Sequence, residues 1–166
     1  MNHPVNALDD DELLALARRD AEHERTEEAL RKLKPLITRA DGPIDALPLA
    51  ARIYAQLKLP ERAQACYRKY LAARPEAVLE SFELGMTHFE QGEAAEADRL
   101  WGAVLQRSPT HPPTLFYSAV HAARSGREPD ARRHLEVLFQ AMPGDNLYVQ
   151  RGRELLKEMD ALRSSR

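Results

Sequence analysis

The side chains of this chain that could do chemistry are scattered rather than grouped. No two of its six histidines (His3, His23, His88, His111, His121 and His134) share the i, i+3 or i, i+4 spacing that sets a pair of imidazoles on one helical face for a metal. Cys66 is the sole cysteine, so no intrachain disulfide and no thiolate set for zinc exists. It stands beside Tyr67 in an apolar-periodic stretch and reads as a packed thiol rather than a nucleophile. Asp9, Asp10, Asp11 and Glu12 precede an apolar run and read as the start of a helix, where negative charge suits the macrodipole. No glycine-rich phosphate loop, G-x-S-x-G or H-E-x-x-H occurs. The expectation is a protein that does no catalysis and carries neither metal nor cofactor.

Charge excludes further classes. Lys and Arg number 24 against 26 Asp and Glu, a net −2, which exerts no overall pull on nucleic acid or an anionic membrane. The opening MNHPVNALDD lacks the basic start and apolar stretch of a secretory signal, and no apolar run is long enough to span a bilayer. The expected setting is cytoplasmic, with no membrane insertion and no nucleic-acid partner.

What must position these residues is a repeat. Ala29, Ala63, Ala97 and Ala131 stand 34 residues apart, and Pro75, Pro109 and Pro143 keep the same spacing. One unit reads Leu84, Gly85, His88, Gly92 at a turn, Ala97, Trp101 and Pro109. Another reads Ala50, Ala51, Tyr54, Ala63, Tyr67 and Pro75, and a third Ser118, Ala119, Ala122, Gly126, Ala131, Leu135 and Pro143. The first unit departs most, with Leu16, Ala17, Asp20, Ala29 and Leu33, Asp41 in the proline column, and Pro35 inside its second helix. There a proline costs about 3 kcal/mol unless the helix bends or ends. Pro60 and Pro129 fall instead in the first turn of second helices, where the missing N–H goes unused.

These columns resemble the tetratricopeptide repeat (TPR), whose consensus L-G-x2-Y, A-x3-F and terminal Pro the unit from Leu84 to Pro109 follows with His88 and Trp101 in the Tyr and Phe columns. The resemblance implies an all-α, single-domain, right-handed solenoid of helix-turn-helix units. The boundaries are a 1–9 extension, units at 10–43, 44–77, 78–111 and 112–145, and a C-terminal capping helix with a frayed tail at 146–166. His88 and His121 then lie on adjacent first helices, read as packed or hydrogen-bonded histidines. The cap runs from Leu147 to Leu162, with Tyr148, Leu155, Met159 and Leu162 on one stripe and Arg151, Lys157 and Glu158 off it.

The resemblance also implies that first helices line a concave groove where a peptide or partner helix docks. By register that groove holds Arg18 and Arg52 in its first half, and Phe82, Met86, Phe89, Phe116 and Val120, with Tyr117 adjacent, in its second. A cationic entrance would lead to an apolar floor suited to an apolar segment with acidic residues. Arg18 and Arg52 also read as solvated arginines paired to Glu22 or Asp45. The Lys, Asn and Arg clamp of TPR domains that bind heat-shock carboxylates is not reproduced, since those columns hold Leu14, Arg18, Leu49, Leu79 and Glu83. The function expected is a protein-interaction adaptor or scaffold. Two readings stand beside it, a secretion-type chaperone for an apolar client segment and a self-assembling structural protein. The second unit has six basic residues against three acidic and the third two against six, a contrast that suits stacking or homo-oligomer formation.

Overall fold

A computed structural model describes residues 9–164. The element order is α1 (Asp10–Glu22), α2 (Thr26–Thr38), α3 (Ala46–Gln56), α4 (Pro60–Ala73), α5 (Val78–Glu90), α6 (Ala94–Arg107), α7 (Pro112–Arg124), α8 (Glu128–Ala141) and α9 (Leu147–Ser164), with no strand among the described residues. No helix there is long and apolar enough to cross a membrane. Most of the expected 1–9 extension, and Ser165 and Arg166 of the expected tail, lie outside the described residues. The chain divides into two compact units, 1–80 and 81–166.

The hairpins share one turn. At positions 24, 58, 92 and 126 the backbone enters the left-handed region, in Glu24 (φ 59°), Lys58 (φ 58°), Gly92 (φ 78°) and Gly126 (φ 74°). The next N–H then reaches back five residues, from Arg25 to Asp20 O, Leu59 to Tyr54 O, Glu93 to His88 O and Arg127 to Ala122 O, at 2.8–2.9 Å. This is the Schellman ending, which satisfies the last carbonyls of a helix and turns the chain directly into the next one. The period-marking Ala29, Ala63, Ala97 and Ala131 follow four residues into each second helix, and all are 0% exposed. A small side chain at such a position lets paired helices approach closely.

In the first unit, α1 begins on a capping box: Glu12 N–H donates to Asp9 Oδ1 at 2.8 Å and Asp9 N–H to Glu12 Oε2 at 3.1 Å. Helix α2 runs through Pro35 to Thr38 without breaking there. Pro35 sits in the last turn on the exposed side, so the carbonyl it deprives faces outward. Asp20, in the column usually given to Tyr, is buried yet charged, held by Arg25 at 2.7 Å and by Lys32. Hydrogen bonds from Lys32 and Arg25 hold its carboxyl below the usual range.

In the second unit, Trp101 fills the centre at 0% exposure and its indole N–H donates to the Phe82 carbonyl at 3.3 Å. Gly85 makes room for it, since a Cβ there would stand 2.3 Å from Trp101 Nε1. Helix α9 packs on both α7 and α8, its Val149 and Met159 joining a core with Leu115, Ala119, Leu135 and Leu138. Gly152 brings α9 close, as a Cβ would lie 3.0 Å from Leu135 Cδ2 and from Phe139 Cε1. Pro60 opens α4 and Pro129 is the second residue of α8, both in first turns.

Candidate functional sites on the first helices

Each unit carries a cleft built on its first helices. In the first unit, Arg18 of α1 and Arg52 of α3 come together at a cleft of about 760 Å³, whose apolar part is Ala21, Leu49 and Ile53. Its rim also holds Glu22, Glu24 and Asp45. The expected cationic entrance is therefore a mixed-charge one, because the turn at Glu24 and the start of α3 at Asp45 bring carboxylates to the same mouth. Arg18, Glu22, Glu24 and Asp45 make no ion pair among the described residues, so the expected pairing of Arg18 with Glu22 or Asp45 is not formed.

In the second unit the five expected apolar residues separate by depth. Phe82 is 8% exposed, its ring among Trp101, His111 and Tyr117 with centroids at 6.3, 5.6 and 5.9 Å. It is a core residue, and little of its surface is open to a partner. Phe89 is half-buried, tilted against Trp101 at 5.4 Å and beneath the Arg124 guanidinium at 5.9 Å. Met86 is half-buried on α5. Phe116 and Val120 open into a cleft of about 490 Å³ between α7 and α9. The far wall is α9, which contributes Leu155, Met159 and Leu162 as apolar surface and Arg151, Glu154 and Glu158 at the rim. Tyr117 and Tyr148 stand behind Phe116, ring to ring at 5.2 and 5.8 Å, and burial raises the Tyr148 hydroxyl above its ordinary pKa.

Sequence reasoning missed that wall. The sequence pattern marks this helix as a cap over the end of the stack, with Tyr148, Leu155, Met159 and Leu162 on one stripe, and puts no residue of it in the groove. Register carried the signal, since 34 residues beyond Phe116 and Val120 lie Gln150 and Glu154, which makes α9 a further first helix.

His88, His111 and His121 are hydrogen-bonded within the packing. His88 is buried and its Nδ1 meets the Glu93 carboxylate, while His111 Nδ1 pairs with Thr114 Oγ1 at 2.7 Å. The arrangement nearest to catalytic geometry surrounds His121, whose Nδ1 lies 2.7 Å from Asp98 Oδ1 and whose Nε2 lies 3.1 Å from Ser125 Oγ. That is the order of an acid, imidazole and hydroxyl relay. The backbone N–H groups of Ser125, Gly126 and Arg127 are all spent on α7 carbonyls, leaving no donor pair there for an oxyanion. Arg127 also binds Asp98 at 2.9 Å, so the cluster ties α6 to the α7–α8 turn. Cys66 is buried, and burial pushes its thiol up, away from nucleophilic character. No group of three metal-ligating side chains occurs among the described residues.

With nine helices among the described residues, comparison with solved structures decides the fold. A crystal structure of MamA superposes with a TM-score of 0.76 at 13% identity, over 80% of this chain and 78% of that one. The chain has the tetratricopeptide-repeat fold. YrrB, a TPR protein with an unusual peptide-binding site, matches at 0.76 and 16% identity over 87% of this chain and 74% of its own. A TPR protein from Parabacteroides merdae matches at 0.80 and 15% identity over 92% of this chain and 60% of its own. No protein-family model matches the sequence, and comparison with curated proteins finds no match. At these identities the likeness is one of fold, and the function must be argued from the clefts.

Proposed function

We propose that this TPR protein is a non-catalytic interaction module, an adaptor that docks a peptide or helix on its first-helix faces. The observation that carries this reading is the α7/α9 cleft. It presents Phe116, Val120 and Leu155 between rims of Arg124, Arg151, Glu154 and Glu158. An apolar floor inside a charged rim is how interaction sites combine binding energy with specificity. Dimensions favour a helix, because α9 and α7 offer walls several turns long and apolar side chains recurring three and four residues apart. The peptide-binding site of YrrB supports the same use of a TPR face. The mixed-charge cleft of the first unit, with Arg18 and Arg52, suits a more polar, extended segment carrying both signs.

The test is capture from native lysate by wild type and by Phe116→Glu and Val120→Glu, each checked for helicity by circular dichroism, with captured proteins identified by mass spectrometry. The reading predicts a specific partner lost from both folded variants. Undiminished capture by both moves the site off this cleft.

A further inference from the structure

Helix α9 has the features of the helix that its own cleft is built to take. The left-handed turn column at 24, 58, 92 and 126 next falls on Asp160, but α9 stays helical through it to Ser164. No second helix folds back over α9 among the described residues, which leaves a long outward stripe. Leu147 and Leu162 are 54% and 68% exposed, the most exposed large hydrophobic side chains among the described residues. With Arg151, Glu154, Leu155 and Glu158 they lie within an arc of about 100° at the pitch of an α-helix.

We infer that the occupant of the α7/α9 cleft is α9 of a second copy of this chain, laid antiparallel about a two-fold axis between Glu154 and Leu155. This rests on the cleft reading above and names its partner. The stripe is antisymmetric about that point. Antiparallel pairing sets Leu147 against Leu162 of the second copy and Arg151 against Glu158 of the second copy, and the two-fold repeats both contacts. Parallel pairing sets like charge on like. Such self-complementarity is what an isologous interface requires, because the same patch must serve both sides. Arg151, Glu154 and Glu158 make no ion pair within the chain among the described residues, so the charges are available to the second copy. The leucine ends of the incoming helix supply apolar contact to the Phe116 and Val120 floor. An interface of one helix and one cleft per copy sits at or below the small end of stable interfaces, about 1,200 Å², so the dimer forms reversibly and weakens with salt.

Sedimentation equilibrium over a concentration series tests this with the full chain, its Arg151→Glu and Glu158→Arg variants, and an equimolar mixture of the two. Wild type is expected to dimerise with concentration. Each variant alone, which sets like charges together, should dimerise about tenfold more weakly or less. The mixture should recover wild-type association, because each variant supplies the charge that the other lacks; a merely structural effect of either substitution would not recover. A wild type that stays monomeric, variants that dimerise as well as wild type, or a mixture that fails to recover each overturns the pairing. If wild type is monomeric while Phe116→Glu still abolishes partner capture, the pairing falls and the cleft reading stands. If Phe116→Glu alters neither association nor capture, both fall.

Discussion

Gly85 and Trp101 show how one residue sets the size of its neighbour. In the column of Gly85 the other units place Ala17, Ala51 and Ala119, and in the column of Trp101 they place Leu33, Tyr67 and Leu135. The indole is the largest of the four, and only there does the facing position give up its Cβ, which would otherwise stand 2.3 Å from the ring nitrogen. Gly85→Ala should therefore destabilise the second unit by about 1–3 kcal/mol through overpacking. Denaturant unfolding followed by the fluorescence of Trp101, the sole tryptophan, reads that loss. Adding Trp101→Tyr should return most of it when unfolding is followed by far-UV circular dichroism, since the repeat at 44–77 holds Tyr67 opposite Ala51. Titration acts at the same scale. Burial lowers the pKa values of His111 and His134, so below the ordinary value of about 6.5 the unfolded chain takes up protons first. The stability of the second unit is thus full above that pH and falls as pH drops towards the lowered values. Thermal melts read by Trp101 should show a lower midpoint at pH 5 than at pH 7, and a smaller difference in His134→Gln. Asp20 behaves likewise in a lower window, its contribution present above the ordinary carboxylate pKa of about 4 and lost as pH falls through its lowered folded value.

Helix hairpins are set by the turn residue. Gly92 and Gly126 adopt positive φ at no steric cost, whereas Glu24 and Lys58 hold the same conformation with a Cβ. A non-glycine residue there costs about 1–2 kcal/mol, part of which glycine gives back as unfolded-state entropy. Lys58→Gly should stabilise the protein by a net of about 0.5–1 kcal/mol, measured as a raised midpoint in urea. Glu24→Gly tests the same strain but also removes a rim carboxylate of the first-unit cleft, so it should change both stability and the charge preference of that site.

At the scale of the whole molecule, much of the fold was legible because a repeat states each structural requirement several times. Four alanines at one spacing can only be the close contact of a helix pair, and all four are buried. Pro60 and Pro129 read correctly as helix starts for the same reason. The site was less legible. A column tells which face of a helix a residue shares but not its depth, and Phe82 is drawn into the core because Trp101, Tyr117 and His111 surround it. Of the carboxylates at the mouth of the first cleft, Glu22 and Asp45 were legible as neighbours of the arginines, whereas Glu24 comes from the turn, outside the groove columns. Helix α9 has no second helix to mark its unit among the described residues, so its part as a cleft wall rests on the 34-residue register alone, a weaker sign than the paired columns of the other units.

The α7/α9 cleft is proposed as the place where this protein meets its partner. Hydroxyl-radical footprinting with and without the bound protein, identified by capture or supplied as a second copy at high concentration, measures it at the side chains. Oxidation of Phe116, Leu155 and Leu162 should fall on binding while that of the exposed Leu57 and Leu79 stays unchanged. Unchanged oxidation at Phe116 and Leu162 under saturating partner would contradict it.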